Sequence, residues 1–173
     1  LTGTILFLRN NYPQYCTLPH VVSMILESKP IELIFLLQTD EEVSGIIASI
    51  KSATGSDNTL ASMFATVQNY LSILNTKENF WVLCRSDFDL TLNNPDAPTM
   101  LVVGNDDSIS KSLSPVIALI ISQALKQINK PDRQKSILIL DEAPTINLPN
   151  FAHIPATARA SKIATVYAVQ DLA

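Results

Sequence analysis

Ile137-Leu138-Ile139-Leu140-Asp141-Glu142 is the stretch on which the fold turns. Four consecutive apolar residues without polar alternation predict a strand buried on both faces, as in a parallel sheet covered by helices on each side. Two carboxylates then stand at its carboxyl end, the edge of an open α/β sheet where ligands bind.

Working outward, the grammar on both sides alternates strand and helix. Phe80–Cys84 is a short strand candidate, and Thr99–Gly104 (TMLVVG) reads as a second, buried one. A polar loop follows, and Ser114-Pro115 supplies an N-cap and a proline at a first helical position. The predicted helix buries Ile117, Ile120, Ile121, Ala124 and Ile128, with Lys126 and Lys130 favourably placed at its C-terminal end. Beyond the acidic pair, a helix is expected over about Phe151–Ala160 and a last strand over Ile163–Val169. Such an alternation with unbroken apolar strands is the pattern of a parallel α/β sheet.

Before Glu78 the period is helical instead. Val43, Ile46, Ile47 and Ile50 recur at i, i+3, i+4 and i+7, and Asp40 or Glu41 is placed to start that helix. Leu60, Met63, Phe64, Val67, Leu71 and Leu74 repeat the pattern over Thr59–Asn75. Pro19 fits the first turn of a helix ending near Ser28, and Pro30 opens another through Leu37. The run Ile31–Leu37 is apolar almost throughout, so its helical neighbours decide its assignment. The expectation is a helical bundle of four or five helices over residues 1–78 and an α/β unit over 79–173.

Composition narrows the chemistry. Only four glycines occur in 173 residues, where average usage would give roughly twelve. Gly3, Gly45, Gly55 and Gly104 are far apart, so there is no GxxxxGK[ST] and no GxGxxG. Twelve basic against sixteen acidic residues give no overall basic stripe for nucleic acid, and the first 78 residues carry four basic and seven acidic. Cys16 and Cys84 match no zinc or CxxC spacing. No apolar run is long enough for a membrane span. The chain opens on Leu1 rather than Met and closes on Asp171-Leu172-Ala173, which reads as a segment of something longer.

Average composition alone produces four apolar residues followed by Asp-Glu in roughly one chain in fifty, so a merely solvated strand end stays open. In phosphate-loop nucleotidases the first such acid holds Mg²⁺ and the second polarises the attacking water. Asn105-Asp106-Asp107 also lies after an apolar segment and is read as a solvated loop. His20 and His153 stand apart from any acid at ligand spacing, and no GxSxG surrounds a serine. Phe7, Phe35, Phe64, Tyr70, Phe80 and Trp81 follow the apolar pattern and are expected in the core rather than as a base-stacking platform.

The segment Leu140-Asp141-Glu142-Ala143-Pro144-Thr145, continued by Leu148-Pro149-Asn150-Phe151, Thr157-Ala158-Arg159-Ala160-Ser161-Lys162-Ile163 and Ala168-Val169-Gln170-Asp171-Leu172, resembles the Walker B to sensor region of TraG/TraD-type coupling proteins. These are the conjugative DNA-transfer ATPases of type IV secretion. Ala143 replaces the commoner phenylalanine and Ala158 a glycine. Ile46–Lys51, Ser62-Met63-Phe64, Phe88-Asp89-Leu90 and Leu113-Ser114-Pro115 also fit, so the resemblance covers the chain from about residue 40 onward.

The resemblance implies a RecA-like P-loop motor sheet preceded by an all-helical domain, with ATP and Mg²⁺ as cofactors. Asp141 would be the metal-organising acid, Glu142 the base activating water, and Gln170 the sensor of the γ-phosphate. Arg159 would be an arginine reaching a neighbouring subunit's nucleotide. It further implies a homo-hexamer at the cytoplasmic face of a bacterial inner membrane, attached through an N-terminal region before Leu1, with relaxase, relaxosome, secretion-channel proteins and DNA as partners. The phosphate loop would also precede Leu1, so this chain alone is expected neither to hydrolyse nor to bind ATP tightly. The alternative is a non-enzymatic interaction module that recognises the relaxase–DNA complex or secretion substrates. A receiver-like domain is disfavoured, because it needs an aspartate pair on an early strand where this chain reads as helix.

Overall fold

The computed structural model describes residues 1–52, 55, 57–142, 146, 148 and 158–169. The chain divides into two compact units, Leu1–Ser86 and Asp87–Ala173.

The first unit is helical. Its elements are α1 (Thr2–Asn11), a 3-10 turn (Pro13–Tyr15), α2 (Leu18–Glu27), α3 (Pro30–Leu37), α4 (Glu41–Ile46), α5 (Ala48–Ser52), α6 (Asp57–Ser72) and α7 (Lys77–Leu83). Local signals place the starts. Pro19 and Pro30 lie in the first turns of α2 and α3, where a missing N–H costs nothing. Asp40 caps α4 by accepting from the Val43 amide at 3.2 Å, and its carboxylate also accepts from Asn10 and Asn11 on α1. Leu6, Phe7, Val21, Ile25, Leu33, Ile34, Leu37, Val43, Ile47 and Leu60 form one core. Burying a side chain as completely as Val43 contributes about 1.5–3 kcal/mol. Gln68 on α6 donates to the Ile25 carbonyl at 3.1 Å, fastening α6 to the end of α2.

Three expectations change here. The single helix through Val43 and Ile50 is interrupted at Ile47 (φ −92°, ψ 8°) and resumes as α5. This turns Ile46 outward while Val43 and Ile47 stay buried. The second run begins at Asp57 and ends at Ser72, and Met63 and Val67 face outward. Phe80–Cys84 is not a strand. Thr76 caps α7 through the Asn79 amide at 3.2 Å, and Glu78 in the first turn suits the helix dipole. Because α7 is helical, the division falls at 86/87 rather than after residue 78.

The second unit holds a 3-10 turn (Asp107–Ile109), α8 (Ser110–Ile128), β1 (Ser136–Leu140) and β2 (Ile163–Tyr167). The two strands pair in parallel, with Ser136 beside Ile163 and Leu140 beside Tyr167. Ala118 on α8 packs with Leu140 and Leu148, joined by Ile121, Leu138 and Tyr167. A second cluster joins Ile128, Ala158 and Ile163. The α/β class and the parallel pairing hold.

Other details differ. The strand is not buried on both faces, for Ile137 and Ile139 are 65% and 66% exposed. Thr99–Gly104 forms no strand, and Met100 and Val102 are 87% and 82% exposed. An apolar run becomes a strand only where a ladder partner lies beside it, and β1 and β2 take each other as neighbours. α8 starts at Ser110, a turn before Ser114-Pro115, because Asp106 accepts from the Ser108 amide and hydroxyl and launches the 3-10 turn that feeds the helix. Pro115 therefore sits inside α8, and Val116, Ile117 and Ala118 are buried with Ala124 and Ile128, while Ile120 and Ile121 are half-buried. The expected helix over Phe151–Ala160 lies outside the described residues except for Ala158–Ala160, which is helical.

Candidate functional site

The acidic pair is delivered by β1. The strand's last ladder residue is Leu140, whose carbonyl accepts from the Ala168 amide at 2.9 Å and carries the pairing past Tyr167. Asp141 then leaves the sheet and is exposed. Its Oδ1 accepts from the Glu142 amide at 3.0 Å. Glu142 follows with φ 51°, in the left-handed region that costs a side-chain-bearing residue roughly 1–2 kcal/mol. The chain thus turns sharply after Asp141 and leaves both carboxylates at the carboxyl end of a parallel pair.

Arg159 stands at the other end of the sheet. Its carbonyl accepts from the Lys162 amide at 3.1 Å, just before β2 begins. The parallel register sets Ile163 beside Ser136. Five residues of strand, about 17 Å, therefore separate the level of Arg159 from that of Asp141. Gln170 lies outside the described residues, as does His153. Within this chain, Asp141 and Glu142 are brought together and Arg159 is not brought to them.

Two other acids of this unit have structural work. Asp106 caps the turn before α8, and Asp89 accepts from the Thr91 hydroxyl and amide, both at 2.8 Å. In each case hydroxyl and amide donors stabilise the carboxylate and hold its pKa below the ordinary value. Asn105-Asp106-Asp107 is thus a capping segment rather than only a solvated loop. His20 shares a 2.6 Å hydrogen bond with Thr17 and lies between the Tyr15 and Phe80 rings.

The aromatics depart furthest from expectation. Phe7 is buried and Phe64 packs against the core, but Phe35, Tyr70, Phe80 and Trp81 are exposed, Trp81 by 76%. Arg85 lies over the Trp81 ring, 5.8 Å from its centroid. Helical period alone could not give this, because α7 buries little of its surface.

Sequence reading also missed Asn93. It is buried, and its side-chain amide donates to the carbonyls of Ile128 at 3.0 Å and Gln134 at 3.2 Å. It ties the end of α8 to the approach to β1. An Asn in the loop run Asn93-Asn94-Pro95 carries no signal for that. A groove of about 520 Å³ folds from the adjoining loop, lined by Phe88, Asp89, Leu92, Thr99 and Met100 among others.

The donor set fits Mg-ATP only in part. Asp141 can hold a divalent cation through water, but among the described residues no three His, Cys, Asp or Glu side chains gather as a metal site. The sequence supplies no glycine-rich loop to cradle phosphates. Among the described residues no helix is long and apolar enough to cross a membrane. Comparison with protein-family models, with curated proteins and with solved structures gave no match.

Proposed function

We propose that this chain is part of an ATP-driven DNA-transfer motor of the conjugative coupling type, with a RecA-like sheet whose Walker B acids are Asp141 and Glu142. One observation carries the reading: two adjacent exposed carboxylates at the carboxyl end of β1, in a parallel pair with β2. An acid there can organise Mg²⁺, and its neighbour can accept a proton from water. Gln170 as sensor, Arg159 as a group acting on a neighbouring subunit of a hexamer, relaxosome and channel partners, and attachment to the inner membrane belong to the same proposal. The position of Arg159 at the far end of the sheet from Asp141 suits action in trans rather than on the acids of its own chain.

The donor set does not complete a nucleotide site, so no catalytic step is assigned to this chain by itself. Titration of the 173-residue chain with Mg-ATP is expected to give no micromolar binding. In a protein in which this segment is joined to a phosphate loop, Glu142→Gln should abolish turnover and leave nucleotide binding largely intact. Micromolar binding to the short chain, or full turnover in the variant, would count against the proposal.

A second reading, an interaction module for the relaxase–DNA complex or secretion substrates, is favoured by the exposed Phe35, Tyr70 and Trp81 of the helical unit. Exposed aromatics and arginine are the residues enriched in protein interfaces. Trp81→Ala in the whole chain should then reduce capture of purified relaxosome proteins without altering binding of single-stranded DNA.

A further inference from the structure

The β1–β2 sheet has one covered face and one open one. Ala118 and Ile121 of α8 pack against Leu138, Leu140 and Tyr167. The alternate residues face the other way, and every one is exposed: Ile137 and Ile139 on β1, Ala164 and Val166 on β2. The register sets Ile137 beside Ala164 and Ile139 beside Val166, so these four form one continuous apolar patch. Parallel sheets ordinarily have both faces covered.

The two ends of this face carry opposite charge. Lys135 precedes Ile137 at the same parity, and Asp141 follows Ile139 at the same parity; both are exposed. Lys162, adjacent to Lys135 through the Ser136–Ile163 pairing, adds a second cation at the basic end, and Glu142 adds a carboxylate at the acidic end. Neither lysine makes an ion pair among the described residues. A polyanion would be repelled by Asp141 and Glu142, and a polycation by the lysines. The surface that matches this arrangement is the same surface reversed.

We propose that the open sheet face is a self-association site, occupied by a second copy of this chain through a two-fold axis level with Leu138. A two-fold lying across the strands sets β1 antiparallel over β1 of the second copy, in aligned sheet-on-sheet packing. Ile137 then meets Ile139 of the other copy, and Lys135 meets its Asp141, each contact occurring twice. The footprint, two five-residue strands, is about 17 Å by 10 Å. That is well below the standard interface, so the dimer is weak and forms only at high protein concentration. This proposal does not rest on the nucleotide reading, and its test uses no nucleotide.

Sedimentation of the whole 173-residue chain from a few micromolar to about 500 µM at low salt is the experiment. A concentration-dependent monomer–dimer equilibrium is expected, weakened at least about tenfold by Ile139→Glu, which replaces an exposed side chain. Asp141→Lys and Lys135→Asp should each weaken it by a similar factor. Mixing those two single variants should restore association, because each then presents the charge that the other lacks. A chain that stays monomeric to the top concentration, or single variants that fail to recover on mixing, would overturn the proposal. Chain folding is checked in the same samples by circular dichroism, and restoration on mixing itself requires folded partners.

Discussion

Asp106 and Asn93 are single side chains on which larger elements hang. Hydrogen bonds from the Ser108 hydroxyl and amide depress the Asp106 carboxyl below its ordinary pKa. A depressed carboxyl pKa means that the folded form binds its proton less readily than the unfolded chain. The contribution is therefore complete above the ordinary range near pH 4 and is lost as the pH falls through and below it. Asp106→Ala should lower the melting temperature at neutral pH, and the difference from the parent should shrink in acid; an undiminished difference at pH 3 would refute the capping role. Asn93 donates to two carbonyls in the interior. Asn93→Ala leaves these acceptors without a donor and should cost about 1–3 kcal/mol in urea unfolding. Asn93→Asp should cost more at neutral pH, since an anion would face two carbonyl oxygens, and part of the loss should return in acid as the carboxyl regains a proton. Neither role is legible in the sequence beyond the short spacing Asp106-x-Ser108, which marks a local turn.

Among elements, α2, α3 and α4 were legible because their signals are local, whereas Phe80–Cys84, which overlaps α7, reads as a strand. Pro19, Pro30, Asp40 and Thr76 set starts within one turn of themselves, and a helix satisfies its backbone from its own neighbours four residues away. How those helices meet was not legible. Gly3 shows this: a Cβ built on it would lie 2.8 Å from Ile47 Cγ2 and 3.4 Å from Val43 Cγ1. Glycine in a helix interior costs about 1 kcal/mol relative to alanine, and less in the first turn, where Gly3 lies. Here close packing of α1 on α4 reverses the preference, since overpacking costs about 1–3 kcal/mol. Gly3→Ala should thus destabilise the chain by up to about 2 kcal/mol despite its better propensity, and a stabilised variant in thermal unfolding would contradict the contact. The open face of β1 is the strand counterpart. The run Ile137–Leu140 predicts burial on both sides, yet only the side facing α8 is covered.

For the whole molecule, the division at 86/87 predicts separate responses to core damage. Val43 is completely buried, and Val43→Ala should cost about 2 kcal/mol. Hydrogen exchange should then accelerate in residues 1–86 and leave the β1 amides of Leu138 and Leu140 unchanged; acceleration in both would mean one cooperative unit. By itself the sequence determined the helical first half, strands at Ile137–Leu140 and from Ile163 in a parallel α/β arrangement, and two acids at a strand's carboxyl end. Period, proline position and capping residues act over a few bonds and can be read from the chain. Only the tertiary structure decided that Thr99–Gly104 forms no strand among the described residues, that Arg159 and Asp141 sit at opposite ends of the sheet, and that one sheet face stays open. Those outcomes depend on which segments become neighbours in space. A strand acquires its hydrogen bonds, and an apolar side chain its cover, only from residues far away along the chain.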